Sequence, residues 1–71
     1  MNPTQYRECL AALHWSQRGL ALVLGCSDRL TRAWASGRSV IPAEVGAWLD
    51  RRARGMIEDP PPPIGNRPPS P

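Results

Sequence analysis

The chain has 71 residues, enough for one small domain and too few for two. It carries nine arginines, no lysine and six acids, and its net charge of +3 favours a polyanionic partner. A domain of about 60 residues buries only about 60% of its unfolded surface, so association with a second copy is the expected additional support. No apolar run approaches the roughly 18 residues of a membrane span.

The first residues lack the basic and apolar pattern of a secretory signal, so we expect a cytoplasmic protein in a reducing compartment. Cys9 and Cys26 are 17 positions apart and match neither a disulfide framework nor zinc-ligand spacing. We therefore interpret both as small buried apolar residues. No second histidine or suitably spaced acid accompanies His14, which we interpret as a helix-end residue, and we expect no metal or other cofactor.

Apolar spacing and capping residues together predict an all-α fold. Asn2 and Pro3 are typical of an N-cap and a first helical residue. Ser16 and Ser27 are further N-cap candidates, while glycines mark helix ends after each of the next three apolar segments. The predicted bundle has four helices, at about 3–13, 16–24, 27–36 and 42–55.

The composition changes sharply after residue 57. The last 14 residues contain seven of the nine prolines and one large apolar residue, Ile64. Such a segment cannot build a helix or a core, so we predict a folded domain over 1–57 and a disordered proline-rich tail over 58–71. The spacing of Pro60 and Pro63 also fits a PxxP segment that binds a proline-recognition domain. The composition favours a flexible tail over this interpretation.

The segment SQRGLALVLGCSDRLTRAWASGRSVIP, residues 16–42, resembles the Cro/C1-type (Xre) helix-turn-helix family of phage and bacterial repressors. The shared features are a Ser-Gln start, Leu-Ala inside the first motif helix, Leu-Gly before the turn, and a serine cap on the second. They continue with Trp34, Gly37 and Pro42 at the family's spacing. Including the flanking helices, the resemblance covers about 55 residues.

The sequence departs from the family pattern inside the second motif helix. The family usually has a polar or small residue at the position of Leu30 and a β-branched apolar residue at the position of Thr31. The expected consequence is that Leu30 faces the core or its edge, together with Trp34, and that Thr31 is at most half-buried. The family also often has an acid where Ala35 stands.

The resemblance implies that the second motif helix enters the major groove of double-stranded DNA by its N-terminal half. Arg29 and Arg32 would each donate two hydrogen bonds to guanine, and Ala33 would contact a thymine methyl group. Asp28 has two possible roles, accepting from cytosine or pairing with Arg32. An ordinary solvated helix face would contain the same arginines, but within the motif DNA contact is favoured. The expected base-contacting residues are Asp28, Arg29, Arg32 and Ala33.

Contacts with phosphates are expected where helix N-termini and arginines lie beside these positions. In the proteins that this segment resembles, the glutamine after the capping serine has that role. Trp34 and Trp48 lie on apolar stripes and, like Trp15, are interpreted as core residues rather than base-stacking ones. The expected phosphate-contacting residues are Ser16, Gln17, Arg18, Ser27 and Arg38.

We expect a homodimeric, nucleoid-associated transcriptional regulator that binds an inverted repeat, and we favour a repressor. We expect it to bind no small-molecule ligand. The alternative is an antitoxin or accessory helix-turn-helix protein that binds a protein partner as well as, or instead of, DNA. No nucleophile–base–acid set or glycine-rich phosphate loop points to an enzyme. The expected dimer contacts lie on the fourth helix, at Val45, Trp48, Leu49 and Met56.

Overall fold

We describe a computed structural model that covers residues 1–62. Within this range the chain forms four α-helices and no strand, which confirms the predicted all-α fold. None of these helices is long and apolar enough to cross a membrane. Most of the predicted tail, from residue 63 on, lies outside the described residues. The helices are α1 (Pro3–Leu13), α2 (Gln17–Leu24), α3 (Asp28–Ser36) and α4 (Ala43–Glu58).

The first helix begins with a capping box. The side chain of Asn2 accepts a hydrogen bond from the backbone N–H of Gln5 at 2.7 Å, and the Gln5 side chain accepts from the backbone N–H of Asn2 at 3.1 Å. The helix ends at His14, whose φ of 59° is the left-handed conformation of a C-cap. The predicted cap and the predicted helix-end role of His14 are both confirmed.

The two central helices have the predicted N-caps and end at the predicted residues, although each begins one residue later than predicted, at Gln17 and Asp28. Ser16 accepts from the N–H of Gly19 at 2.9 Å and so caps α2, which ends at Gly25 with φ 73°. Ser27 caps α3 by accepting from the third N–H of the helix at 3.3 Å, and α3 ends at Gly37 with φ 82°. Glycine is favoured at both ends because a Cβ disfavours positive φ.

The fourth helix is longer than predicted, and the prediction that it ends at Gly55 was wrong. Gly55 lies inside α4, and the helix continues to Glu58. The N–H of Asp59 still donates to the carbonyl of Gly55 at 2.8 Å. Asp59 itself leaves the helical conformation, with φ −138° and ψ 70°. It precedes Pro60, and a proline disfavours the helical conformation of the residue before it.

The core lies between α1 and its two neighbours. α4 packs on one side of α1, while α3 packs on α1 and on α2. Tyr6 and Trp34 meet edge to face at the centre, with ring centroids 6.0 Å apart. The predicted core position of Trp34 is confirmed. Cys9 and Cys26 are both free thiols; Cys9 is buried as expected, whereas Cys26 is only partly buried. The buried apolar side chains are Tyr6, Cys9, Leu10, Leu13, Leu20, Ala21, Trp34, Ile41, Leu49 and Ala53.

Two glycine substitutions test the helix ends with opposite expected signs. Gly37→Ala should lower the free energy of unfolding by about 1–2 kcal/mol, because Gly37 has a positive φ that a Cβ disfavours. Gly55→Ala should raise it by up to about 1 kcal/mol, because alanine favours a helix interior and the added Cβ meets no atom within 4 Å. Urea unfolding monitored by circular dichroism measures both. A destabilised Gly55→Ala protein would place the end of α4 at Gly55 after all.

Candidate nucleic-acid interface

Thr31 sets the rotation of α3, and its predicted half-exposure was wrong. Its side chain has no solvent-exposed surface, and its hydroxyl lies 3.1 Å from the carbonyl oxygen of Gln17 and 2.9 Å from that of Asp28. A buried hydroxyl needs such a partner, because burial without one costs about 1–3 kcal/mol. The bond to Gln17 also joins α3 to the first turn of α2. Thr31 therefore faces inward with Trp34, three residues further on.

For the same reason Leu30 does not face the core with Trp34; of the two expected positions, the core or its edge, only the edge remains. With Thr31 and Trp34 facing inward, the side chain of Leu30 turns to the surface and remains 37% exposed. It lies in a shallow surface depression between α3 and the segment that follows it. We call this the Leu30 depression; its lining residues are Ser27, Arg29, Leu30, Ala33, Arg38 and Ser39.

Tyr6 connects α1 to both motif helices. Its hydroxyl lies 2.6 Å from Oε1 of Gln17 and 3.2 Å from the carbonyl oxygen of Thr31. The first of these bonds holds the carbonyl end of the Gln17 amide, so its NH₂ group is the end left to donate elsewhere. The sequence patterns did not indicate this role for Tyr6. The available signal was that a buried tyrosine normally has a hydrogen-bond partner.

Arg7 is a second connection that the sequence analysis did not identify. Its guanidinium donates to the carbonyl oxygen of Ala35, in the last turn of α3. Carbonyl groups at the end of a helix lack partners within the helix, and the helix dipole favours a positive charge there. Arg7 and Tyr6 thus connect the first half of α1 to the end and to the middle of α3.

The outer face of α3, formed by Asp28, Arg29, Arg32 and Ala33, is open to solvent. Asp28 and Arg32 form an ion pair at 3.2 Å, with 42% and 65% of their side-chain surfaces exposed. The structure therefore shows the pairing role of Asp28. An exposed pair of this kind contributes only ~0.3–0.5 kcal/mol to stability, so its main effect is to orient the Arg32 guanidinium. Within residues 1–62, Arg29 makes no hydrogen bond or ion pair.

The predicted phosphate-contacting residues lie at the starts of α2 and α3 and just after α3. Ser16 and Ser27 accept from the backbone as N-caps, and each hydroxyl also has an O–H that can donate to an anion. Arg18 is exposed on α2. Arg38 donates from Nε to the Ser36 hydroxyl at 3.1 Å, and it lines the Leu30 depression.

Of the four residues predicted to form a dimer contact, Leu49 is not available. Its side chain is fully buried in the core of the single chain, where α4 packs on α1. The other three pack against the core but keep part of their surface exposed. The Trp48 ring packs at a 38° tilt against that of Trp15, with ring centroids 5.8 Å apart, and the guanidinium of Arg52 lies 5.9 Å from the centroid of the Trp48 ring. Val45 and Trp48 share a shallow groove with Leu24.

Residues 1–62 contain no group of three or more His, Cys, Asp or Glu side chains that could hold a metal ion. The buried polar side-chain atoms of the described residues all have hydrogen-bond partners. Exposed donors lie on the outer face of α3 and around the Leu30 depression, and three further exposed arginines, Arg51, Arg52 and Arg54, lie on α4. This arrangement is suited to binding a ligand across a surface rather than inside a cavity.

The Tyr6 hydroxyl gives the fold a measurable pH dependence. Burial raises the pKa of Tyr6 to about 12 from 10.0, with a smaller contribution from Cys26. The unfolded chain then loses the tyrosine proton at lower pH than the folded one, so stability falls as the pH rises from about 10 to about 12. A shift of this size corresponds to about 2–3 kcal/mol.

We expect the free energy of unfolding of the wild type to decrease across this range, measured by urea unfolding at a series of pH values. Tyr6→Phe should be less stable near neutral pH by about 1 kcal/mol, because its hydrogen bonds are lost. Its free energy of unfolding should also decrease less than that of the wild type as the pH rises from about 10 to about 12, because the contribution of Tyr6 is absent. Cys9, whose pKa is also raised by burial, is present in both proteins, so the difference isolates Tyr6. Parallel pH profiles for the two proteins would contradict the prediction.

Searches for similar proteins found no matching family model, curated protein or solved structure. The resemblance to the Cro/C1-type family therefore stays a prediction from residues 16–42. The candidate interface is defined by its own geometry: two serine-capped helix starts, a buried hydrogen-bond network beneath them, and an exposed outer face of α3.

Proposed function

We propose that this protein binds double-stranded DNA in a sequence-specific manner by inserting α3 into the major groove. The observation that carries the proposal is the two-sided character of α3. One side, with Thr31 and Trp34, is buried and hydrogen-bonded, while the opposite side exposes Arg29 and Arg32. An α-helix fits the major groove, and exposed guanidinium groups match the two acceptors of guanine.

Arg29 and Arg32 have different roles in this proposal. Arg29 makes no ion pair or hydrogen bond within the described residues and is available to donate two hydrogen bonds to a guanine. Arg32 reaches its base in an orientation set by Asp28, 3.2 Å away. Asp28 could also accept a hydrogen bond from a neighbouring cytosine through its exposed oxygen. Ala33 is small enough to let the groove approach the helix.

Phosphates on either side of the groove are contacted by the starts of the two motif helices. The N–H groups and the dipole at a helix start favour an anion. Gln17 contributes the NH₂ end of its amide, because Tyr6 holds the other end at 2.6 Å. Arg18 and Arg38 add charge, which fits a phosphate on each side of α3. These contacts set the position of the helix but do not select a base.

We propose further that the protein is a homodimeric transcriptional repressor that binds an inverted repeat, in the cytoplasm and close to the nucleoid. One small domain covers few base pairs, and two copies would place two α3 helices about 34 Å apart on one face of the DNA. The partly exposed apolar side chains of α4, Val45, Trp48 and Met56, support α4 as the contact between copies.

A second candidate function is binding of a protein partner, as in an antitoxin or accessory protein. The observation in its favour is that Leu22 and Val23, on α2, are 75% and 60% exposed. Two adjacent exposed apolar side chains on one helix are more typical of an interaction surface than of a solvated one. This surface shares no residue with the outer face of α3.

The proposal predicts that Arg29 and Arg32 are needed for specific binding. Duplexes enriched by the wild type from a random pool should bind Arg29→Ala and Arg32→Ala about 5- to 100-fold more weakly, because each variant loses bonds to a base. Fluorescence anisotropy at several salt concentrations measures this. Binding should also weaken steeply as salt rises, because phosphate contacts release counterions.

Arg54→Ala is the matched control for Arg32→Ala. Arg54 pairs with Asp50, four residues earlier on α4, at 3.0 Å, and is 71% exposed. The two variants therefore lose the same charge and the same kind of ion pair. Arg54→Ala should bind within about twofold of the wild type. Equal losses of affinity in the two variants would mean that Arg32 contributes only its charge, which would contradict its role in base recognition.

The dimer is tested by placing a charge on α4. Val45→Glu should shift the protein towards a monomer in sedimentation equilibrium, because burial of a carboxylate between two copies is costly. The helical circular dichroism signal should remain, since Val45 is already partly exposed in the single chain. A wild-type protein that is monomeric both free and on an inverted repeat would contradict the proposal.

A further inference from the structure

The Leu30 depression includes apolar surface that the proposed contacts with guanine and phosphate do not use. Its apolar lining, which we call its floor, consists of the exposed part of Leu30 and Ala33. Its polar lining, which we call its rim, consists of Arg29, Arg38 and the hydroxyls of two serines. The rim suits the charged and polar edges of DNA. The apolar floor is suited to a small apolar group, because covering an exposed leucine removes apolar surface from water and so lowers the free energy.

The major groove of DNA presents one such group. The C5-methyl group of thymine points into the groove, and a methylated cytosine carries a methyl group at the same position. The depression adjoins Arg29 on the same helix, so a pyrimidine methyl group placed on its floor would lie beside the guanine that Arg29 contacts. We propose that Leu30 is a specificity-determining residue that packs against the C5-methyl group of a pyrimidine next to this guanine. This inference rests on the proposed DNA-binding function.

The geometry of Leu30 supports a role in binding rather than in folding. Its backbone N–H donates to the cap oxygen of Ser27 at 3.3 Å, which fixes its place in the first turn of α3. The first turn is the part of a recognition helix that comes closest to the base edges. The inward positions that a leucine would normally occupy belong to Thr31 and Trp34. Leu30 is thus held at the surface by a backbone that the rest of the domain fixes.

The test starts from a duplex that the full-length wild type enriches from a random pool. At each pyrimidine of that duplex, affinity is measured for two pairs of synthetic DNAs that differ by one methyl group: thymine against uracil, and 5-methylcytosine against cytosine. At one position next to a guanine, removal of the methyl group should weaken wild-type binding about fourfold, the amount expected for one buried methyl group. The pair that shows the effect identifies which methylated pyrimidine is bound.

Three variants assign the effect to Leu30. In Leu30→Ala the methyl preference at that position should disappear, while Leu30→Met, which keeps an apolar side chain of similar volume, should retain it. Leu22→Ala is the matched control, since Leu22 is 75% exposed on α2 and does not line the depression. It should retain the full preference. Because the readout is a difference between two DNAs, a general loss of stability in any variant would not imitate it.

The outcomes separate this inference from the function on which it rests. If the wild type enriches a duplex but no position shows a methyl effect, or if the effect persists in Leu30→Ala, the role of Leu30 is overturned and DNA binding stands. If the wild type enriches no duplex at all, the proposed function is overturned, and the inference with it.

Discussion

The buried hydroxyl of Thr31 is the constraint on which the rest of the interface depends. It bonds to the carbonyl oxygen of Gln17 at the start of α2, and the Tyr6 hydroxyl reaches both Gln17 and the carbonyl of Thr31. Three helices therefore meet at one set of polar contacts inside an otherwise apolar core. Such contacts have strict distance and angle requirements, so they determine a rotation that apolar packing alone would leave less defined. The rotation of α3 then determines which side chains reach the surface.

Much of the fold could be predicted from the sequence, because helix ends are determined by local chemistry. Ser16 and Ser27 cap helices and Gly25 and Gly37 end them, and these roles need no knowledge of tertiary contacts. The end of α4 was misplaced at Gly55 because a glycine in an exposed helix interior resembles a terminator. There the left-handed conformation is absent, and the proline after residue 59 ends the helix instead.

The orientation of α3 could not be predicted, since spacing alone does not choose between two faces. Leu30 and Thr31 are four and three residues before Trp34, and either spacing places a residue on the same side of a helix. Hydrophobicity favours Leu30 for the core. The structure instead buries Thr31, because a carbonyl of another helix lies within reach of its hydroxyl. That partner is 14 residues away in sequence, so no local pattern indicates it.

α1 connects the helix proposed to bind DNA, α3, to the helix proposed to contact a second copy, α4. α4, which carries the proposed contact between copies, packs on α1, and α1 packs on α3. The contacts on the α3 side include two directional ones, from Tyr6 to the middle of the helix and from Arg7 to its last turn. In a dimer formed through α4, the separation of the two α3 helices would depend on the rigidity of α1. A loss of the Tyr6 contacts would therefore affect the spacing between half-sites as well as the stability of one domain, although Tyr6 touches neither the DNA nor the partner in this proposal.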